Sequence, residues 1–422
     1  MKRPERMTLR KLTTVFMRRL IFLILTSASV EAAFGRSNSG GSYPRPGLFP
    51  VKPDGHVMKQ VKFWEKIFYH YPSSAVLIHD SDVPENIIDI IDFRLYAKNL
   101  QLNTLPDRAR RDKVTQAYLK RYRLAIKRFQ KYGKRALKFG AIEARVFDIY
   151  RKNSKSLSIL FSGAITIRSQ AGLADEFIQA AYRAQTYLKF METTFKNEKV
   201  PQEITRLAFV ESMFNPDARS KVGASGMWQF MPATAKRYLT INRLVDERNS
   251  PYKATLAAAK LLKDNFSKLK SWPLAITAYN HGASGMGRAI KMSGSRDFES
   301  IVRRYQSPSF QFASKNFYAE FIAAYKVYER LKNHDTIKLI PAPRQLNTIK
   351  LTKEISMRQL LKKLPFGKRK IRELNPCIRK ITFSRYSGRR LPRNYELFIP
   401  EKIGTKQRLA LKSNGIKIYD KN

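Results

Sequence analysis

From Val114 to Tyr132, apolar residues recur every three or four positions, at Val114, Tyr118, Tyr122, Ala125, Phe129 and Tyr132, with Arg121, Lys127, Arg128 and Lys131 between them. That spacing predicts one apolar stripe on a basic helix, and a stripe of this width reads as core-facing rather than as a membrane-surface helix. The same periodicity predicts helices around Ala174 to Lys196, Gln202 to Met213, Ala254 to Leu269, Leu274 to Tyr279 and Lys315 to Leu331. Near Ile349 the texture changes to a strand-like IKL, helical MRQLLKKL and KRKIRELN, and a strand-like YELFIP, the order of a small β-α-α-β module. KLIPAPRQL, Lys338 to Leu346, reads as the hinge before it. The fold class is therefore mainly α, with a small C-terminal α+β module.

The first residues obey a different logic. Arg18 and Arg19 precede the apolar run Leu20 to Leu25, and Val30, Glu31 and Ala32 give a small-x-small pattern. This is the order of a secretory signal over residues 1–32, and the run is too short to be a permanent span. Residues 33–55 are rich in Gly, Ser and Pro and read as a linker, so folded structure is expected from His56. Export then bears on the charge: 81 Lys and Arg against 33 Asp and Glu leave +48. Such a balance seeks a polyanion, and an exported chain meets an acidic wall polymer or membrane face rather than nucleic acid. The single cysteine, Cys377, excludes an intramolecular disulfide and lies far from any leader.

Candidate chemistry concentrates between Ala208 and Leu239. Glu211 sits among Leu207, Ala208, Phe209, Val210, Met213 and Phe214. A carboxyl held against apolar groups loses the hydration of its charged form, so its pKa rises and it can keep a proton near neutrality. An isolated Glu is ordinarily a solvated surface group, but its sequel is unusual. Asn215 and Pro216 are expected to end the helix, Gly223 and Gly226 to form a loop that a polymer can approach, and Trp228 to Met231 to set aromatic area beside the Gln229 amide, which suits a sugar. Tyr279 and Asn280 close a later helix before Gly282. Asp217, the only other acid between Glu211 and Asp246, reads as a turn residue. The five histidines show no metal-ligand spacing, and no cofactor is implied.

The segments ES-x-FNP-x-A-x-S, GASG-x-WQF-x-P-x-T and AYN-x-G, in this order, resemble the SLT family of lysozyme-like lytic transglycosylase domains. The upstream IRSQAGLADEFIQAAYRAQTYL and KVPQEI are most similar to the membrane-bound lytic murein transglycosylase D subgroup. The resemblance implies a helical N-terminal region at 56–197, a lysozyme-like catalytic domain at 198–335, a LysM-like module at 347–402 and a basic tail at 403–422. It implies that Glu211 is the catalytic acid and that Ser220, Met227, Gln229, Tyr279 and Asn280 line the sugar groove. The implied partner is the peptidoglycan glycan strand, cut by a monomer in the periplasm or envelope, in peripheral contact with membrane or wall, to give 1,6-anhydromuramoyl ends. A hydrolytic muramidase and a non-catalytic wall-binding protein are the alternatives. One departure is Trp228, where many members carry Met before the motif glutamine.

Overall fold

The computed structural model describes residues 48–52, 54–151, 154–333, 337, 347–383, 388–399, 404–413 and 416–419. The predicted signal at 1–32, the linker before residue 48 and the hinge at Lys338 to Leu346 lie outside them. The described chain divides into two compact units, residues 65–175, and residues 48–64 with 176–419; the first division falls inside helix α1, His56–Tyr69.

The first unit holds an antiparallel sheet in the order β2-β1-β3, with β1 at Ala75–Asp80, β2 at Ile87–Asp92 and β3 at Ile167–Ala171. Val76 pairs with Ile91 on one side and Ala171 on the other. Around it lie α2 (Phe93–Asn99), α3 (Arg108–Tyr132), α4 (Ala141–Tyr150) and α5 (Ser154–Ser162). The periodic stripe is real: Tyr122, Ala125 and Phe129 of α3 are buried, joined by Leu119 and Ile126, although Tyr132 at its end is exposed. Asp107 caps α3 by accepting from the Arg110 N–H at 2.8 Å. The helical region expected at 56–197 also holds this sheet, which the sequence reading did not include. Its central strand is buried along almost its whole length, and a short, continuously apolar strand has the same signature as a buried helix turn.

The second unit is built on helices. Predicted as one segment, Ala174 to Lys196 is two, α6 (Ala174–Gln185) and α7 (Leu188–Asn197). Then come α8 (Leu207–Ser212), α9 (Pro232–Ala235), α10 (Pro251–Leu269), α11 (Trp272–His281), α12 (Ala283–Ser293), α13 (Phe298–Arg304) and α14 (Phe312–Asn333). Helix α11 packs against α10, α12 and α14, and α8 packs against α14. The sequence punctuates these starts: Ser250 caps α10, with Pro251 at its first turn, where the missing N–H costs nothing.

The same unit carries the predicted module: β4 (Asn347–Leu351), β5 (Ile355–Ser356), α15 (Met357–Lys363), α16 (Lys368–Leu374), β6 (Arg390–Leu391) and β7 (Glu396–Ile399). The two helices lie between strands as expected, and β5 and β6 add a second, two-stranded sheet to the β-α-α-β order. The basic tail is corrected: α17 (Thr405–Ser413) and β8 (Ile416–Tyr419) follow, and β8 pairs with β4, giving the sheet order β7-β4-β8. Strand β8 is four residues long, too short for its alternation to stand out. Val245 joins the module's core, the Asp246 N–H donates to Cys377 O at 2.8 Å, and the Arg379 N–H donates to Leu244 O at 2.9 Å. Among the described residues, no helix is long and apolar enough to cross a membrane.

Ile349, fully buried in the middle strand of the module sheet, tests this packing. Ile349→Ala should cost about 2–5 kcal/mol, seen as a lower denaturation midpoint in urea; an unchanged midpoint would contradict the sheet's place in the core.

Candidate active site

Helix α8 is short and anchored at both ends. At its start the Arg206 guanidinium, 7% exposed, pairs with Glu192 of α7 and, at 3.1 Å, with Glu329 of α14. Along it, Leu207, Ala208 and Phe209 are fully buried, with Phe209 stacked on Phe177 at 4.5 Å. Its end departs from expectation. Two successive non-glycine residues, Met213 (φ 51°) and Phe214 (φ 55°), take the left-handed conformation and stop the helix before Asn215 and Pro216 are reached. That conformation costs on the order of 1–3 kcal/mol per residue and must be held by its surroundings. Phe214 is fully buried, and Arg183 of α6 donates from Nε and Nη2 to Met213 O at 3.1 and 2.9 Å.

Glu211 stands next to this turn. The residue is half-buried, yet the loss of hydration at its carboxyl, and then the neighbouring Glu320 carboxylate, push its pKa up to about 8. Both causes disfavour the charged form, so the carboxyl is protonated at neutral pH. Tyr279, at the end of α11, is its neighbour: burial and then the Glu211 charge hold the phenol far above its ordinary range. Being a neutral phenol, Tyr279 donates from Oη to Trp228 O at 2.8 Å. On the other side, Ser212 donates from Oγ to Met227 O at 2.7 Å. The backbone of Met227 and Trp228 is thus pinned from both helices.

The intervening loop is held by its own polar groups. Gly223 (φ 93°) and Gly226 (φ 81°) have the positive φ expected of them, and at Gly226 a Cβ would stand 1.9 Å from Arg248 O, so only glycine fits. Ser220 Oγ accepts from the Ala224 N–H at 2.9 Å. Gln229 (φ 44°) donates from Nε2 to Gly226 O at 2.8 Å and Ala218 O at 3.2 Å. Arg248 donates to Gly223 O and Phe230 O at 2.8 and 3.1 Å while gripping Asp246. Asn280 Oδ1 accepts from Ser314 Oγ of α14 at 2.7 Å.

The expected site residues therefore have different placements. Glu211 and Tyr279 are brought together, with the backbone of Met227 and Trp228 beside them. Ser220 and Gln229 brace the loop, and Asn280 is tied to α14. Met227 is only 1% exposed. The aromatic area expected beside the Gln229 amide is corrected: Trp228 and Phe230 are 0% and 2% exposed. Trp228 stacks on Phe195 at 5.5 Å and donates from Nε1 to Thr255 Oγ1 at 2.9 Å, so it is core. Asp217 is exposed and its N–H donates to Asn215 Oδ1 at 3.0 Å, as in a turn. Sequence reasoning missed Glu320 and Arg183. Glu320 was detectable as one acid inside the apolar run Phe317 to Ala324, whereas nothing local marks Arg183.

Residues 189–302 match the family model of the transglycosylase SLT domain, so the chain contains such a domain, and Glu211, the loop and Tyr279 lie within it. Membrane-bound lytic murein transglycosylase D of Escherichia coli (strain K12) is 33% identical over 117 residues, 27% of this chain and 26% of that protein. Peptidoglycan transglycosylase gp16 of Escherichia phage T7 is 37% identical over 102 residues, 23% of this chain and 8% of that protein. The chain thus spans about a quarter or less of the length of these relatives. Among solved structures, the soluble lytic transglycosylase SLT70 of Escherichia coli is 19% identical with a TM-score of 0.31, over 47% of this chain and 35% of that one.

The raised carboxyl has a consequence for stability. Glu211 titrates near 4.5 when unfolded and near 8 in the fold, so the fold holds the proton more tightly. Its contribution is complete below about pH 4.5 and is lost as pH rises toward 8. Glu211→Gln cannot ionise; it should match the parent in thermal unfolding at about pH 4 and exceed it at about pH 8, by on the order of 1–3 kcal/mol. A difference independent of pH would contradict the burial.

Proposed function

We propose that this chain is a peptidoglycan lytic transglycosylase, cutting the β-1,4 bond between N-acetylmuramic acid and N-acetylglucosamine with Glu211 as acid and then base. The observation that carries this reading is the Glu211 carboxyl, which keeps its proton up to about pH 8 inside an SLT domain. Protonated Glu211 gives its proton to the glycosidic oxygen as the C1–O bond breaks. The resulting carboxylate takes the proton of the muramoyl C6 hydroxyl as O6 closes on C1. The products are a 1,6-anhydromuramoyl end and a free hydroxyl on the leaving sugar, and Glu211 is protonated again without water being consumed. A raised pKa suits both halves, because the group is a ready donor near neutrality and, once ionised, a stronger base than an ordinary carboxylate.

Around this acid, Tyr279 keeps the floor of the groove in place through Trp228 O, and Ser220, Gln229 and Asn280 offer polar edges to the sugars. Met227, 1% exposed, serves through its carbonyl, which accepts from Ser212 Oγ. The +48 balance favours retention of an exported protein on the acidic wall polymer. Glu320 supports a second reading, since a second carboxylate near the acid is what a hydrolytic muramidase uses.

Mass spectrometry of muropeptides released from purified peptidoglycan decides between them. Anhydro ends, lighter by one water, are expected; reducing ends would assign the hydrolytic route. Glu211→Gln should lower the rate by at least about 100-fold. For the parent, kcat/KM should fall above about pH 8, where the acid ionises, and Glu320→Gln should move that fall to lower pH by removing the charge that raises the acid.

A further inference from the structure

The second unit contains a cleft of about 680 Å³ that the glycan reaction leaves unexplained. One wall belongs to the SLT domain and includes Asp217 and Arg219 of the loop that follows Glu211; the other belongs to the C-terminal module, at α16 and the segment after it. Six cationic side chains line it, Arg219, Lys368, Arg369, Arg372, Arg379 and Lys380, against three acids.

Two of those acids are already matched. Asp246, 5% exposed, is gripped by Arg248 at 2.8 Å and approached by Arg379 at 3.6 Å. Burial raises its pKa, but the Arg248 hydrogen bonds and charge, followed by Arg379, outweigh this and hold it below the usual carboxylate range. Glu373 pairs with Arg369 and Lys370 at 3.7 and 3.8 Å. Arg219, Lys368, Arg372 and Lys380 have no ion-pair partner among the described residues; Lys368 donates to Phe383 O at 3.3 Å, and the Arg372 guanidinium lies 5.7 Å from the Phe383 ring centroid. The walls are fixed to each other: Arg379 donates from Nε to Asn242 O at 2.9 Å, and Thr382 from Oγ1 to Leu244 O at 3.0 Å.

Among the described residues, no aromatic side chain lines this cleft. Sugars and nucleobases are usually held by stacking on aromatic faces, whereas unpaired Arg and Lys bind carboxylates and phosphates. In peptidoglycan the carboxylates lie mostly on the stem peptides, and the cleft volume is that of a site for a ligand of a few residues. Arg219 also adjoins Ser220 and follows Ala218, whose carbonyl accepts from the Gly226 N–H at 2.8 Å and from Gln229 Nε2. We propose that this cleft between the SLT domain and the C-terminal module binds the carboxylate-bearing stem peptide of the glycan strand being cut. The assignment rests on peptidoglycan being the substrate. It makes the module a reader of peptide rather than of sugar.

The test is calorimetric titration of the full-length protein with the tripeptide L-Ala-D-Glu-diaminopimelate and with its fully amidated form. The parent should bind the acidic tripeptide saturably and ignore the amidated one. Lys368→Ser combined with Arg372→Ser on one wall, and Arg219→Ser on the other, should each weaken binding tenfold or more with unchanged thermal unfolding. Unaltered affinity in both variants, equal binding of the amidated peptide, or displacement by an oligonucleotide at lower concentration than the peptide itself would overturn the proposal. Tripeptide binding by a parent that forms no anhydro ends would remove the proposed activity and leave the cleft assignment standing.

Discussion

The arrangement depends on the dehydration of one carboxyl at the end of a very short helix. The half-buried Glu211 loses hydration on α8, which packs against α14, and two left-handed residues follow shortly after it. Phe214 in the core and Arg183 on the Met213 carbonyl hold a turn that local preferences disfavour. Strain beside the proposed acid, offset by packing elsewhere, is the pattern expected where geometry serves chemistry.

Electrostatic influence then spreads from this point. Burial and the nearby Glu211 carboxyl keep Tyr279 a neutral phenol, and as a donor it fixes Trp228 O. The loop back to Ala218 is braced by its own amides and by Arg248, which also binds Asp246 at the edge of the C-terminal module. One guanidinium thus ties the loop that frames the acid to the segment on which the module packs.

Much of the unit that carries the SLT match was legible because its signals are local. The helix at Ala254 to Leu269, the glycines at 223 and 226 and the apolar company of Glu211 all act within a few residues of where they are read. What escaped was set by distant partners or hidden by composition. Strand β1, buried along almost its whole length, has no alternation to betray it, and β8 is only four residues long. Trp228, beside a polar amide in sequence, turns inward because Phe195 and Thr255 receive it. Glu320 reaches Glu211 only through the packing of α14 on α8.

The most direct test of the central claim is a carboxyl ¹³C titration of glutamate-labelled protein, with the Glu211 resonance assigned by its absence from Glu211→Gln. A midpoint near 8 is the predicted result. A midpoint near the ordinary 4.5 would mean a solvated carboxylate and would contradict the account.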